Sequence, residues 1–402
     1  MPATSSAHTL RTNLLCFAAA LIEGLDLQSA GVAAPRMAPA LNLDSTTLGW
    51  VFSASTSGLL IGAILGGCCA DRIGRKRVLV ACLLIMGIFS LGTALCREVT
   101  SLLLMRLLTG IGLGGALPNL IALAAESSPD GTRGRWVSLV YGGIPMGTVL
   151  ASWITLQHGN DWRMVFWVGG LAPLLVAPLL AWALPESQRF QAVDRMHVTA
   201  GSSWLALLGA NRLLTTALLW MTASCTLLVI YSVFNWLPSL LLGSGLRVDQ
   251  VSGVQLTLGL GGVIGVPLIG LLMDSRWRTL SLTLVYASAS MLLVALTHVP
   301  AHVTLIGALA LLMGVVLQST TAILFAVTPL CYETAHRSTG VGAAIAAGRI
   351  GAIAGPIVVG SMLTQGMDSA GVLLGMVPFM LFAMACASWV TWRAERLGRV
   401  LR

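Results

Sequence analysis

The sequence predicts an all-α membrane protein with twelve transmembrane helices in two six-helix halves. Composition is the first observation, because 56% of the residues are hydrophobic and only 9% are charged, against about 25% charged in an ordinary soluble domain. Length is the second, because 402 residues accommodate about a dozen apolar runs of roughly 20 residues. The third is the set of 44 glycines, which allow helices in lipid to pack closely.

Apolar runs divide the chain into twelve predicted spans, numbered one to twelve in chain order. The widest polar interval separates spans six and seven. It predicts an N-terminal half over 1–184, a cytoplasmic central linker over 185–213 and a C-terminal half over 214–402. The expected spans are 12–34, 47–70, 78–96, 101–125, 136–157, 164–184, 214–241, 250–273, 279–298, 303–328, 339–364 and 370–392.

The basic residues indicate the orientation of these spans. With the N-terminus inside, 17 of the 23 Lys and Arg residues fall on the inner side and 4 on the outer side. This excess predicts that both termini are cytoplasmic. The other two, Arg106 and Arg349, lie inside spans. Because the net charge of +8 is distributed over span ends, it favours a topological role over a nucleic-acid-binding face.

The inner loops of the two halves share a spacing. Asp71 and Asp274 follow spans two and eight and lie 203 positions apart, while Arg133 and Arg337 follow spans four and ten and lie 204 apart. Two independent features with one spacing predict a parallel internal repeat, as in carriers whose halves move about a central site.

The loop after span two carries the motif GGCCADRIGRKR at 66–77. We expect Gly67 to let span two approach a neighbouring helix and Gly74 to permit a tight turn. Asp71 is expected to accept backbone N–H groups at a helix N-terminus or to pair with an arginine.

This motif is interpreted as a conformational latch that differs between carrier states, with a purely topological anchor as the alternative. Two acids at the inner ends of spans four and ten are expected to pair with the arginines that follow them. The predicted latch residues are Gly67, Asp71, Arg72, Gly74, Arg75, Lys76, Asp274, Glu126, Arg133, Glu333 and Arg337.

Span one contains two acids in the segment LIEGLDLQSAG at 21–31. Each would cost roughly 2.5–3.5 kcal/mol at the bilayer centre. Glu23 and Asp26 are three residues apart and share a helix face, and two close carboxylates do not readily ionise together. The pair therefore predicts a proton-coupling site. A buried acid that pairs structurally with an arginine is the alternative.

The loop motif resembles the signature of the major facilitator superfamily. EGLD at 23–26 and the segments 106–126 and 337–356 resemble the aromatic acid:proton symporter family within it. With Glu23 in place of the family's first Asp, and NWLP at 235–238, the chain is similar to bacterial transporters of 3-(3-hydroxyphenyl)propionate.

The resemblance implies a carrier in the bacterial inner membrane that imports an aromatic carboxylate of hydroxyphenylpropionate type together with protons. Import of a benzoate-type acid and drug:proton antiport on the same fold are the alternatives. Drug antiporters usually carry the pattern GxxxGPxxGG in span five, and YGGIPMGTVL at 141–150 lacks that spacing.

An aromatic carboxylate needs a cation for its charged end and flat apolar walls for its ring. By helix rise, Arg106 lies near the depth of Asp26, and Arg349 near that of Glu23. Span seven adds aromatic and polar side chains in VIYSVFNWLP at 229–238. The predicted substrate-binding residues are Arg106, Arg349, Phe234, Asn235, Tyr141 and Gln318.

The remaining reactive residues indicate no catalytic or metal chemistry. The eight cysteines form no CxxC pair, and the six histidines lie in tails, loops or span ends. We therefore expect a transporter rather than an enzyme, with no cofactor and no bound metal. Its expected partners are the substrate, protons and the lipid bilayer, and it is expected to be monomeric.

Overall fold

The computed structural model describes residues 6–129, 131–158, 161–184, 186, 213–273, 278–300, 302–332 and 337–400. All regular secondary structure in these ranges is helical. Twelve of the described helices or helix pairs are long and apolar enough to cross a membrane. The predicted fold class is confirmed, and the protein is a multi-pass membrane protein.

The observed spans follow the predicted order. In the first half they are Ser6–Ala40, Ser45–Ile73, Arg75–Leu95, Val99–Ser127, the helix pair Arg133–Tyr141 and Gly143–Gln157, and Met164–Ala183. In the second half they are Leu213–Gly243, Val248–Met273, Arg278–His298, Val303–Val327, Arg337–Thr364 and Ser369–Val400, with a 3-10 helix at Thr328–Cys331 after span ten.

Ten of the twelve spans are longer than the apolar runs that predicted them, and spans six and ten end one residue earlier than expected. Span one was expected to end at residue 34 but continues to Ala40 through Pro35 and Pro39. Each proline removes one backbone donor, and a membrane helix accommodates this loss through its neighbours and local adjustment. In span five the break falls at Gly142, three residues before Pro145, whose missing N–H would otherwise bond to the Tyr141 carbonyl.

The described contacts divide the chain into two compact units, Met1–Val198 and Thr199–Arg402. Each unit contains six spans. The predicted linker at 185–213 lies outside the described residues except for Glu186 and Leu213.

Glycines bring the second and fourth spans of each unit into backbone contact. A Cβ at Gly58 or Gly62 would overlap the carbonyl oxygen of Leu107 or Ile111 in span four. In the second unit, a Cβ at Gly261 or Gly265 would overlap the carbonyl oxygens of Leu311 and Val315. The glycines are 203 positions apart and their partners 204, which is the spacing found in the inner loops. The repeat is therefore also present in helix packing.

Gly67 does not make the close approach expected of it. A Cβ there would meet nothing within 4 Å, whereas one at Gly66 would overlap the Cα of Gly115. Gly66 lies four residues after Gly62, on the same face of span two, so it continues the glycine contact with span four. Gly67 lies 100° further around the helix and points away from that contact.

Span two begins with a capped first turn. Asp44 has an extended backbone with φ −76° and ψ 167°, and its Oδ1 accepts a hydrogen bond from the Thr47 N–H at 3.1 Å. Hydrogen bonds from the side chain and backbone of Thr47 favour the ionised carboxylate and lower the pKa of Asp44 from its ordinary value of 3.8.

Candidate functional site

Asp26 and Arg106 form a fully buried ion pair in the first unit. Both side chains are 0% exposed, and Arg106 Nη2 lies 3.4 Å from Asp26 Oδ2. Ser90 of span three donates to the other carboxylate oxygen at 2.7 Å. The structure thus brings together two of the predicted residues, and each oxygen of Asp26 has a partner.

Oxygen atoms of Asp26, Ser29 and Ser55 surround the Arg106 guanidinium. Its Nη1 donates to Ser29 Oγ at 3.3 Å, and its Nη2 donates to the Asp26 carbonyl and to Ser55 Oγ, both at 3.3 Å. The Phe166 ring centroid lies 5.3 Å from the guanidinium carbon. Among the described residues, Arg106 Nε has no hydrogen-bond partner. The guanidinium is therefore a charge enclosed by protein and held in place mainly by span one.

The glycine of the EGLD motif allows this enclosure. A Cβ at Gly24 would overlap the Ile144 carbonyl of span five, and one at Gly147 would overlap the Leu21 carbonyl of span one. On the other side, a Cβ at Gly169 of span six would lie 3.5 Å from Asp26 Oδ1. Small residues let three backbones close around the acids, which keeps lipid and bulk water away from them.

Glu23 is buried as well, with 3% of its surface exposed. It precedes Asp26 by three residues in the same helix, so the two acids occupy adjacent turns of one face. Both acids of the motif therefore lie inside the first unit rather than toward lipid.

Arg349 occupies a different environment in the second unit. It lies near the middle of span eleven, 12 residues after Arg337 and 15 before Thr364, and it is half-buried. Its Nη1 donates to the Tyr231 hydroxyl of span seven at 2.6 Å. Among the described residues of its own unit, no carboxylate lies within ion-pair distance. The two intramembrane arginines thus differ, since one has a carboxylate and the other has a phenol.

The other predicted substrate residues are distributed over both units. Asn235 is buried and donates to the Tyr231 carbonyl at 2.8 Å, one turn from the Arg349 contact. The Phe234 carbonyl accepts from Gln255 at 3.1 Å. Gln318 is half-buried in span ten, and Tyr141 is half-buried in the first unit. The structure brings Asn235 close to Arg349 through Tyr231, a residue of the 229–238 segment that was not among the predicted site residues.

The end of the first unit that was predicted to face the cytoplasm has a network of charged and polar contacts. Arg75 at the start of span three forms an ion pair with Glu126 at the end of span four. Lys76 N–H donates to Glu186 Oε1 at 3.1 Å, and Arg133 Nε donates to the Ala125 carbonyl at 2.9 Å. Gly74, between spans two and three, has φ 98°, so it makes the predicted tight turn in a conformation that favours glycine.

The predicted role of Asp71 at a helix N-terminus is filled by a different acid. Glu186, after span six, accepts from the first turn of span three, while Asp71 and Arg72 are exposed. An acid directly after an apolar span, opposite a basic loop, was the sequence signal for Glu186. Asp274 and Glu333 lie outside the described residues, as does the side chain of Arg337. Within the described ranges, no group of three His, Cys, Asp or Glu residues could hold a metal ion.

Comparison with known proteins adds the evolutionary context. A model of the Major Facilitator Superfamily matches residues 16–356. The chain is 43% identical over 386 residues to the 3-(3-hydroxy-phenyl)propionate transporter of Escherichia coli (strain K12), covering 95% of this chain and 94% of that protein. It is 33% identical over 385 residues to a gallate transporter of Pseudomonas putida, covering 88% and 85%.

Solved structures support the same fold. The D-xylose-proton symporter superposes with a TM-score of 0.75 at 19% identity, covering 93% of this chain and 97% of that one. The nucleoside transporter NupG superposes with a TM-score of 0.75 at 17% identity, covering 95% and 98%. At these identities the likeness concerns the fold alone. From the family match and the relatives together, the chain belongs to the Major Facilitator Superfamily and is a transporter rather than an enzyme.

Proposed function

We propose that this chain imports an aromatic carboxylate of hydroxyphenylpropionate type together with protons, by alternating access between its two six-span halves. The observation that carries the proposal is the 43% identity along 95% of the chain to a 3-(3-hydroxy-phenyl)propionate transporter. Relatives named for gallate and 4-hydroxybenzoate transport support the broader class, because these compounds also combine a phenol ring with a carboxylate.

Arg349 is the proposed anchor for the substrate carboxylate. A half-buried guanidinium in the middle of a span is costly unless it faces a cavity and acquires an anionic partner. Among the described residues of its unit, Arg349 has a phenol as its partner and no carboxylate. A carboxylate ligand would complete the charge pair, and the planar guanidinium offers two parallel donors for it. The other predicted substrate-binding residues remain proposals. They are Phe234, Asn235, Tyr141 and Gln318.

Glu23 is the proposed proton carrier, and Asp26 its fixed neighbour. Protonation of Asp26 would leave Arg106 buried without a counter-charge, which costs about 3–5 kcal/mol when one member of a buried pair is lost. Arg106 is therefore proposed to remain the counter-ion of Asp26 rather than to bind substrate. Two close carboxylates do not readily ionise together, so Glu23, one turn from Asp26, is the acid left to exchange the proton. Proton uptake then falls to Glu23.

The inner-end network is the proposed conformational latch. Gly74 and the Arg75–Glu126 pair join spans two, three and four, and Glu186 adds the end of span six. Such contacts stabilise one arrangement of the helix ends, so breaking them would change the balance between conformations. The same proposed latch includes other predicted residues of both halves. They are Gly67, Asp71, Arg72, Lys76 and Arg133 in the first half, and Asp274, Glu333 and Arg337 in the second.

Uptake into inverted or right-side-out vesicles tests the proposal. Labelled 3-(3-hydroxyphenyl)propionate should accumulate when the outside is more acidic than the lumen, and a protonophore should abolish the accumulation. Unlabelled phenylpropanoates should compete better than benzoates if the hydroxyphenylpropionate class is right. Accumulation that follows a sodium gradient and ignores the protonophore would contradict proton coupling. An absence of uptake for every aromatic acid tested would contradict the substrate class.

A further inference from the structure

We infer that Tyr231 is a substrate-binding residue whose hydroxyl donates a hydrogen bond to the ligand's carboxylate beside Arg349. The inference rests on the proposed function and assigns a second group to its anion site. The bonding capacity of a phenol is the starting point. A tyrosine hydroxyl has one proton to donate and lone pairs to accept with.

The hydrogen bond in the structure uses only the accepting side of that hydroxyl. Arg349 Nη1, which has no lone pair to offer, donates to the Tyr231 oxygen at 2.6 Å. The phenolic proton must therefore point elsewhere. Among the described residues it has no acceptor, since the single hydrogen bond of the hydroxyl is the one from Arg349. Among the described residues of this unit, the phenol thus has no acceptor for its proton, and the guanidinium beside it has no carboxylate partner.

Burial along span seven locates an opening at this position. Within 229–238, every residue is buried except Tyr231, which is half-buried, and its partner Arg349 is half-buried too. A charged side chain in the middle of a span that is not enclosed by protein faces a water-filled or ligand-filled space rather than lipid. Tyr231 and Arg349 are thus in contact, and each is partly accessible.

The backbone around Tyr231 is held in place by neighbouring side chains. Asn235 Nδ2 donates to the Tyr231 carbonyl at 2.8 Å, and Trp236 Nε1 donates to the Pro356 carbonyl of span eleven at 3.0 Å. Spans seven and eleven are therefore tied together between one and two turns from the Tyr231–Arg349 contact. This fixes the phenol and guanidinium as a preorganised pair, which lowers the entropy cost of binding an anion.

A carboxylate seated on this pair would receive charge-assisted hydrogen bonds from both groups. Losing the one from Tyr231 should weaken binding by roughly 10- to 100-fold, as expected for a hydrogen bond to a charged group. The same substitution should weaken binding of the neutral amide less, because the amide oxygen can accept the phenol's hydrogen bond but has no negative charge to strengthen it.

Tyr231→Phe tests the inference, since it removes the hydroxyl and keeps the ring. The measurement is inhibition of uptake by 3-(3-hydroxyphenyl)propionate and by its primary amide, in the parent and the variant. We expect the preference for the acid over the amide to fall by about tenfold or more. Tyr286→Phe is the matched control, because Tyr286 bonds to Thr226 in the same half at 2.9 Å and is buried; its acid-to-amide preference should not change.

Three outcomes have distinct meanings. If the parent takes up no aromatic acid, the proposed function fails before Tyr231 is tested. If Tyr231→Phe weakens acid and amide equally, or leaves the acid as in the parent, Tyr231 has no role in carboxylate binding and the inference is wrong. A double variant with Arg349→Lys should lose less than the product of the two single losses, because both side chains act on one carboxylate; independent losses would overturn the shared site.

Discussion

Arg106 illustrates how a membrane protein can hold a charge with many weak contacts. Its four bonds to oxygen measure 3.3–3.4 Å, at or beyond the long end of the usual range for N–H···O bonds. No single contact dominates, so the position of the guanidinium depends on the packing of spans one, two and four. The Asp26 charge is what makes the arrangement tolerable, because a buried cation without an anion is far more costly than the pair.

Because an unpaired buried charge is more costly than the pair, single and double variants of Asp26 and Arg106 should differ in stability. Asp26→Asn and Arg106→Met should each lower the free energy of unfolding by about 3–5 kcal/mol, because each leaves one buried charge unpaired. The double variant should lose less than either single variant, because no charge then remains in the cluster. Thermal unfolding of the purified proteins in detergent measures the effect.

The exposed pair of Arg247 and Asp249 supplies the control. Its side chains are 74% and 59% exposed and 3.0 Å apart, and such surface pairs contribute at most about 1 kcal/mol. Asp249→Asn should therefore leave the melting temperature nearly unchanged. If the Asp26 and Arg106 losses simply add in the double variant, the two charges are not the reason for the destabilisation.

The sequence was sufficient to place Asp26 and Arg106 at similar depths, because both lie within spans and helix rise sets their height, but it predicted Arg106 as a substrate-binding residue. It was not sufficient to find Ser90 or Ser29, since serine is common in membrane helices and its role depends on which face meets which neighbour. Tyr231 was visible only as one of several polar side chains in span seven. Its selection required the three-dimensional contact with Arg349.

The contact between spans two and four depends on which glycines of span two face span four. Gly62 lies where a Cβ would overlap the Ile111 carbonyl, while Gly67 on the same helix has no neighbour within 4 Å. In a helix interior, alanine is ordinarily favoured over glycine by about 0.5–1 kcal/mol. The surroundings of each glycine therefore decide whether its replacement by alanine raises or lowers the stability of the protein.

We expect Gly62→Ala to destabilise the protein, because a backbone carbonyl cannot move aside without separating the two helices. Gly67→Ala should be neutral or slightly stabilising, in keeping with the helix preference of alanine. Melting temperatures of both variants in one detergent make the comparison. Equal destabilisation by the two substitutions would show that helix contact is not what Gly62 provides.

The start of span two has its own pH dependence. Because the pKa of Asp44 is below its ordinary value of 3.8 in the folded protein, its cap stabilises the fold above that value. The contribution is lost as the pH falls through the lowered pKa. Asp44→Ala should thus be less stable than the parent at pH 7, and the difference should shrink near pH 3. Asp44→Asn keeps an accepting oxygen at the cap and should show no such narrowing.

Helix packing is repeated in the two units, but among the described residues the charged contact between spans is not. Spans one and three of the first unit meet through the charged Asp26 and the Ser90 hydroxyl. In the second unit, spans seven and nine meet through two buried hydroxyls, Thr226 and Tyr286, at 2.9 Å. The repeat was predictable from loop spacing, whereas the chemical difference between halves was not, because it lies in which side chains occupy equivalent contacts. This difference places the buried acids Glu23 and Asp26 in one half and, in the other, an arginine whose partner among the described residues of that half is the Tyr231 hydroxyl.

That division predicts separable transport phenotypes. Glu23→Gln should abolish accumulation driven by a proton gradient, because the titrating group is gone, yet it should retain exchange of labelled for unlabelled acid across the membrane. Exchange requires binding and conformational change but no net proton movement. Arg349→Lys should lose both activities at low substrate concentration, because an ammonium cannot reproduce the planar two-donor geometry of the guanidinium. Counterflow into vesicles without a pH gradient measures exchange, and the same vesicles with a gradient measure accumulation.

Asp249→Asn, on the exposed pair, controls for the loss of an acid that is not buried, and it should behave as the parent in both assays. The pattern that would contradict the division is loss of counterflow in Glu23→Gln with retention in Arg349→Lys. Substrate binding would then belong to the acids of span one and their surroundings. Arg349 would in that case stabilise span seven through Tyr231 rather than bind the carboxylate. Substrate binding would then belong to the first half instead of the second.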